Sequence, residues 1–213
     1  PFHATTRTTS ASSLVTDSAA SGTAIACGEK TANGRIGTAV DGVRKLESCA
    51  EAAKKSGKKV GIVTSVTINH ATPASFYAHR ANRGEYYAIG LDLVASGFDY
   101  FGGGDCARHD RRDDPLYTGD IYRLAEEAGY RIIDNKEDLL KLAPGSGKVF
   151  ARGNTGGALP FAIDGDQNIA TLAEFTAKGI ELLDNPQGFF MMVEGGAIDW
   201  CGHSNDAAGN LRE

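Results

Sequence analysis

Apolar residues recur along the chain at helical spacing in some segments and as short runs in others, and the two patterns alternate. Over 45–55 the apolar positions fall three or four residues apart, which predicts a helix that ends near Gly57. The run 59–64 that follows is rich in apolar and β-branched residues, which predicts a strand buried on both faces. The same patterns predict helices over 86–96, 117–128 and 171–184, a short helix around 139–140, and strands over 98–101, 131–133 and 189–193.

Helices that alternate with short strands indicate an α/β fold. We therefore expect a three-layer domain in which a mostly parallel β-sheet is flanked by helices, with residues 1–213 forming a single partial domain. The stretch 143–166 holds Gly and Pro around the apolar residues 148–150, which predicts one strand amid surface loops or an inserted segment. The glycines of 101–105 do not form G-x-G-x-x-G, so we interpret them as a turn and not as a nucleotide site.

Composition narrows the classes of partner. The 213 residues are 41% hydrophobic and 23% charged, and the net charge of -5 includes no basic stripe, which excludes a nucleic-acid partner and favours a small molecule. No apolar run approaches the roughly 20 residues of a membrane span, and the first residues lack a signal-peptide pattern. The chain starts without Met and stops in what reads as an unfinished segment, so we expect both ends to be cut from a longer protein.

The four cysteines are spread along the chain and form no C-x-x-C pair, which argues against a zinc ribbon or a thioredoxin-like site. We expect buried free thiols, and a disulfide stays open if the protein is exported. They are Cys27, Cys49, Cys106 and Cys201.

Ser18 stands where a helix is expected to begin. Asp17 and Ser18 precede a run of small residues, and the unpaired N–H groups of a helix start favour negative charge on a serine oxygen or on an attached phosphate. The alternative is that Asp17 or Ser18 is only the N-cap of the helix. No G-x-S-x-G motif is present, so activation of the serine calls for a metal instead of a Ser-His-Asp site.

Candidate metal ligands follow the predicted strand 189–193. Glu194, Asp199 and His203 lie just beyond its carboxyl end, where ligands bind in α/β sheets. Oxygen ligands suit Mg²⁺, and mixed Asp and His ligands suit Zn²⁺. The alternative is a surface salt bridge between Asp199 and His203.

A polar loop, 64–74, leaves the strand 59–64 at the same edge of the sheet. It carries His70, and Arg80 and Arg83 follow it. Because a guanidinium group offers a planar fork to phosphate oxygens, this combination indicates anion binding. The alternative is that His70 is a plain loop residue and Arg83 a solvated charge.

Three motifs, in this order and at these separations, resemble those of the alkaline phosphatase family. They are V-T-D-S-A-A-S at 15–21, H-A-T-P-A at 70–74 with an Arg downstream, and V-E-G-G-A-I-D at 193–199 with a His after it. The resemblance implies that Ser18 attacks the phosphorus of a phosphate monoester to form a phosphoserine, which water then hydrolyses to inorganic phosphate. Family enzymes use two zinc ions and one magnesium ion.

The resemblance also implies a role for each matching residue. Asp199 and His203 would hold one zinc, and Ser18 would face the second. Thr72 and Glu194 would bind the magnesium. Arg83 would clamp the phosphate, oriented by Asp17. His70 and Trp200 stand where the best-known bacterial members have an acidic residue and a Lys, so metal preference and pH optimum do not follow from any one relative.

Other ligands of the family pattern cannot be placed in this sequence: an Asp on an earlier strand, a later Asp-His pair and a further His. We therefore expect the fragment alone to be inactive, and the longer parent to be the enzyme. Family resemblance implies a periplasmic or secreted location and leaves a homodimer open. The alternatives are a phosphodiesterase, phosphonatase or sulfatase of the same superfamily, and a non-catalytic binding domain on this fold.

Overall fold

The computed structural model describes residues 5–213, and it contains one five-stranded sheet. All four strand pairs are parallel, in the order β3-β4-β2-β1-β5. The predicted α/β class with a parallel sheet is confirmed. The strands are Lys59–Thr64 (β1), Tyr100–Gly103 (β2), Tyr130–Ile133 (β3), Lys148–Arg152 (β4) and Phe189–Glu194 (β5).

Helices cover both faces of this sheet. Ile62 and Phe101 belong to a buried cluster on one face, and their chain neighbours Val63 and Tyr100 belong to a second cluster on the other. This follows from the alternation of side chains along a strand. Nine helices fall within residues 5–213: Ser18–Cys27 (α1), Cys49–Lys55 (α2), Ala71–Ala74 (α3), Tyr86–Ser96 (α4), Ile121–Glu127 (α5), Lys136–Lys141 (α6), Leu172–Leu183 (α7), Gly196–His203 (α8) and Ala207–Arg212 (α9).

The helix expected over 45–55 starts later than its apolar pattern suggests. It begins at Cys49, because Ser48 and Glu51 form a capping box there. The residues before it instead continue an extended segment, in which Lys45 forms an isolated antiparallel bridge. The polar cap, and not the apolar spacing, sets the start of α2.

Two further boundaries differ from the prediction for local reasons. The helix expected over 117–128 begins at Ile121, because the Asp120 carboxylate accepts hydrogen bonds from the first N–H groups of α5. The strand expected over 98–101 begins at Tyr100 and continues into the glycines, so these belong to the sheet in part. The strand expected at 148–150 is β4, which lies between β3 and β2 in the sheet.

Within residues 5–213, no helix combines the length and the apolar character needed to span a membrane. All four cysteines are free thiols. Cys106 and Cys201 are buried as expected, but Cys27 is only partly buried and Cys49 is exposed, because its side chain lies on the outer side of the start of α2. Burial raises the pKa of Cys27 to about 12.

Tyr100 fills the space between the sheet and α7. It is fully buried, and its hydroxyl donates to the carbonyl oxygen of Phe175 at 2.9 Å. A Cβ atom added at Gly179 would lie 2.7 Å from its ring, and one added at Gly102 would lie 2.7 Å from its hydroxyl. The two glycines therefore leave room for this side chain.

The carboxyl ends of β1 and β2 approach each other closely. Gly103, the last residue of β2, has a φ of 129°. A Cβ atom there would overlap the backbone carbonyl oxygen of Thr64. Only glycine fits this position without a shift of the backbone.

Gly103→Ala is expected to lower the free energy of unfolding by about 3 kcal/mol or more, because an unfavourable φ and a backbone overlap add. Gly57→Ala is the matched control, since Gly57 has a φ of 82° but open space where its Cβ would lie. Gly57→Ala is expected to lower the free energy of unfolding by about 1 kcal/mol, because only the unfavourable φ contributes. Urea unfolding followed by circular dichroism measures both, and equal losses would contradict the close approach.

His79 connects α2 with the segment that contains Gly37. Its Nδ1 lies 2.7 Å from the carbonyl oxygen of Gly37, and its Nε2 lies 2.9 Å from the Glu51 carboxylate. Burial lowers the pKa of His79, but the hydrogen bonds to Glu51 and Gly37 outweigh it, so the pKa is raised above 6.5. The protonated ring therefore stabilises this part of the fold.

This raised pKa predicts that the folded state loses stability as the pH rises. The His79 contribution is fully present below the ordinary value of 6.5 and is lost as the pH passes through the higher folded value. His79→Gln is expected to flatten the pH dependence of the free energy of unfolding between about pH 6 and pH 8. Urea titrations across this range provide the comparison, and superimposable pH profiles for the two proteins would refute the assignment.

Candidate active site at the carboxyl edge of the sheet

The carboxyl ends of β1 and β5 lie side by side. Their register pairs Thr64 with Glu194. The Thr64 hydroxyl donates to the Glu194 carboxylate at 2.6 Å, and the backbone N–H of Ser65 donates to the carbonyl oxygen of Glu194 at 3.1 Å. The carboxylate is thus fixed at the edge of the sheet, just before α8 begins.

Glu194 meets a second segment at this point. The pKa of its carboxyl group is raised above the ordinary value, mainly by burial and also by the nearby Asp199 carboxylate. The hydroxyls of Thr64 and Thr72 oppose this shift. Thr72 belongs to α3, so the structure brings together the two residues that the resemblance assigns to magnesium. A carboxylate with two hydroxyls supplies the hard oxygen donors that Mg²⁺ prefers, so the donor set fits this ion.

Ser18 is the first residue of α1, and Asp17 is its N-cap. The Asp17 carboxylate accepts from the backbone N–H of Ala20 at 2.9 Å and from that of Gly34 at 3.0 Å. Asp17 is therefore a helix cap, as the plainer interpretation held. Ser18 is half-buried, and its hydroxyl makes no hydrogen bond to any residue in the range 5–213.

Capping is only one of the contacts of Asp17. An Nη of Arg83 lies 3.1 Å from its carboxylate, and the other Nη lies 3.4 Å from Nε2 of His70. The backbone N–H of Arg83 also donates to the carbonyl oxygen of Gly34 at 2.7 Å. Arg80 turns away and forms a two-point ion pair with Asp92, so of the two arginines only Arg83 reaches the site.

His70 links Arg83 to α8. Burial lowers the pKa of His70, and the neighbouring Arg83 charge lowers it further, whereas Asp199 opposes this. Its ring meets the Trp200 ring edge-to-face, with centroids 6.2 Å apart. Nδ1 of His70 is buried and has no hydrogen-bond partner in the described part of the chain. His70 and Trp200 therefore pack against each other. They are the two positions at which this sequence departs from the best-known bacterial pattern.

The start of α1 packs closely on α3. A Cβ atom at Gly22 would lie 2.7 Å from the Ser75 hydroxyl and 3.4 Å from the Cα of Thr72. Ser18 lies one turn before Gly22 and on the same face of the helix. The small residues after Ser18 thus let the helix approach the segment that carries Thr72.

Asp199 and His203 lie one turn apart on α8, with Nε2 of the histidine 3.6 Å from the carboxylate. Both side chains are largely exposed, at 62% and 80%. The salt bridge that was the alternative interpretation is present, and the same mixed pair is of the type that binds Zn²⁺. Within residues 5–213, no three His, Cys, Asp or Glu side chains form a cluster that could hold a metal ion.

Sequence reasoning missed two residues of the site. Thr64 fixes Glu194, and its position at the end of a strand could have indicated this. Gly34 contributes both its N–H to Asp17 and its carbonyl oxygen to Arg83, and its φ of 83° favours glycine. Its contacts are made through the backbone, so no side-chain motif reveals it.

The arrangement gathers an alcohol, a guanidinium group and a half-buried carboxylate from separate segments at one edge of a parallel sheet. A family model described as alkaline phosphatase matches residues 1–213. The chain belongs to the alkaline phosphatase family. Alkaline phosphatase 3 of Bacillus subtilis is 37% identical over 206 residues, which cover 93% of this chain and 43% of that protein.

Solved structures of alkaline phosphatases share the fold. A cold-active enzyme from a psychrophilic Shewanella matches with a TM-score of 0.85 at 35% identity, covering 97% of this chain and 49% of that one. The alkaline phosphatase of the Antarctic bacterium TAB5 matches with a TM-score of 0.85 at 33% identity, covering 97% of this chain and 58% of that one. The chain therefore spans about half the length of the relatives that it matches.

Replacement of Asp17 is expected to separate its capping role from its ionic role. Asp17→Ala removes both and should lower the free energy of unfolding by about 2 kcal/mol, whereas Asp17→Asn keeps a capping oxygen and should lose about 1 kcal/mol or less. Urea unfolding of the two variants measures the difference. A larger loss for Asp17→Asn than for Asp17→Ala would show that the cap has been misassigned.

Proposed function

We propose that the natural protein containing this chain hydrolyses phosphate monoesters, with Ser18 as the nucleophile. One observation carries the proposal: Ser18 begins α1 beside Asp17, whose carboxylate contacts Arg83 at 3.1 Å. A nucleophile next to an oriented guanidinium group is the arrangement that phosphoryl transfer requires, since this reaction depends on positioning and on positive charge around the phosphate oxygens. The names of its relatives point to the same activity.

In the proposed reaction, the Ser18 oxygen attacks phosphorus and the bond from phosphorus to the ester oxygen breaks. The alcohol leaves with a proton, and the phosphate remains attached to Ser18. The unpaired N–H groups at the start of α1 favour the added negative charge. Water then attacks the same phosphorus, the bond from phosphorus to the serine oxygen breaks, one proton of the water goes to the serine oxygen, and inorganic phosphate is released.

Arg83 is proposed to bind two phosphate oxygens during both steps. Its contact with Asp17 fixes one side of the guanidinium group, and its backbone hydrogen bond to Gly34 fixes the main chain. Arg83 is 30% exposed at the side chain, so part of the group stays open to a ligand. A planar fork held in this way gives directional hydrogen bonds that a lysine could not reproduce.

We also propose that metal ions complete the site. Thr72 and Glu194 would hold magnesium, and Asp199 with His203 would hold one zinc ion. Metal ions of this kind stabilise developing negative charge and make water or alcohol a better nucleophile at neutral pH. The magnesium reported in a TAB5 alkaline phosphatase variant supports a metal requirement. Because residues 5–213 provide ligands for only part of the set, we propose that they are inactive alone.

Location and assembly rest on family resemblance. We propose a periplasmic or secreted protein, for which a homodimer is one arrangement.

His70 and Trp200 are proposed to support the phosphate site from outside it, His70 through Arg83 and Trp200 through the ring of His70.

Ser18→Ala in the natural protein is expected to lower kcat for an aryl phosphate by about 1000-fold or more, because the acceptor of the phosphoryl group is lost. Ser21→Ala is the matched control: it lies one turn along α1, and its hydroxyl already donates to the Asp17 carbonyl oxygen at 2.9 Å. Its activity should stay within about threefold of wild type. Full activity in Ser18→Ala would reject the proposed function, and a parallel phosphodiester assay would reveal a change of substrate class.

A further inference from the structure

A separate cavity of about 780 Å³ opens beyond the carboxyl ends of β2 and β4. None of the residues assigned to the proposed catalytic site lines it. Four basic side chains do: Arg108, His109, Arg111 and Arg152. A pocket of this size holds a small molecule. Three of the four basic groups each contact a carboxylate, Arg152 that of Asp105, His109 that of Asp120 and Arg111 that of Asp113, so a preference for an anion rests on Arg108.

The acidic groups in the walls are already paired. Asp105 is 4% exposed and contacts Arg152 at 3.2 Å, and Asp110 pairs with Arg112 at 3.0 Å. Arg108, by contrast, makes no ion pair in the part of the chain that the structure describes, and its guanidinium group lies over the Tyr86 ring at 5.4 Å. The cavity therefore has a cation available for a ligand.

Backbone strain is concentrated at the same cavity. Three non-glycine residues within 5–213 have a positive φ, and two of them, Arg108 at 54° and Asn154 at 55°, line it. The left-handed conformation is unfavourable for a long side chain such as arginine. Strained residues of this kind are concentrated at ligand-binding sites, where the surrounding structure holds them in place.

Arg152 forms a fixed wall of the cavity. Its guanidinium group stacks over the Tyr122 ring at 4.4 Å while Asp105 holds one Nη, and Asp105 also accepts from the backbone N–H of Gly156. The imidazole of His109 packs on the same ring at 4.8 Å and contacts the Asp120 carboxylate at 2.6 Å. Arg152 and His109 are thus ordered before any ligand arrives, which lowers the entropic cost of placing an anion beside them.

We propose that this cavity binds a phosphate-sized oxyanion, either free phosphate or the phosphate group of a small ester, with Arg108 as its main cationic contact. The cavity adjoins the loop of the proposed catalytic site, because the Asn69 side chain forms hydrogen bonds at 2.9 and 2.8 Å with the backbone of Ala107. Asn69 directly precedes His70. A bound anion would therefore lie beside the catalytic edge but outside it.

Isothermal titration calorimetry of the metal-loaded natural protein with inorganic phosphate tests the proposal. Wild type is expected to bind two phosphates per chain, and Arg108→Ala is expected to weaken one of them by at least about tenfold. Arg131→Ala is the control, because Arg131 is an exposed arginine that carries the same charge but does not line the cavity. It should still bind two. Phenylphosphonate, titrated in parallel, reports whether an ester or free phosphate is preferred.

Arg108→Gly adds an independent test. It is expected to weaken the same phosphate while raising the Tm of the phosphate-free protein by about 2 °C, because glycine accepts the positive φ without strain. The proposal is wrong if wild type binds only one phosphate per chain and Arg108→Ala binds it with the same affinity. Arg83→Ala should weaken only the other phosphate. If it weakens neither, the proposed function fails while the cavity site stands.

Discussion

The parallel register of β1 with β5 is the constraint on which the candidate site depends. It ends both strands at the same level, so that Thr64 can donate to Glu194 and the chain can leave as two loops on the same side. One loop leads to α3 and the other to α8. A shift of register by one residue would turn the side chains of the shifted strand to the opposite face. The buried apolar residues of β1 and the half-buried ones of β5 therefore hold the polar edge in place.

A single carboxylate organises the other half of the site. Asp17 satisfies the start of α1, holds the backbone at Gly34 and contacts Arg83, so local helix formation and long-range assembly depend on the same group. Asp105 likewise uses one carboxylate for two contacts, with the guanidinium group of Arg152 and with the backbone N–H of Gly156. In both places a half-buried or buried carboxylate holds the side chain of an arginine that is itself partly exposed.

Sequence patterns predicted the sheet because the central residues of buried parallel strands such as 59–64 are mostly apolar. They misplaced the starts of α2 and α5, since those are set by the side chains of Ser48 and Asp120 and not by apolar spacing. The three motifs lie in segments that contact one another in the structure, and the roles of their residues stay a prediction. The resemblance assigned the phosphate contact to Arg83 and not to Arg80. The physical reason for the difference appears only in the fold, which pairs Arg80 with Asp92 and Arg83 with Asp17. The role of Gly34 was equally hidden.

The packing around Tyr100 has a consequence for how this family can diverge. Its ring occupies space that a side chain at Gly102 or Gly179 would need, so the three positions are not free to vary separately. A smaller residue at 100 would leave a void, and a larger one at either glycine would collide with the ring. A substitution at one of these positions should therefore be accompanied by a substitution at another. Aligned relatives should show this correlation between positions 100 and 102 on the strand and position 179 on the helix.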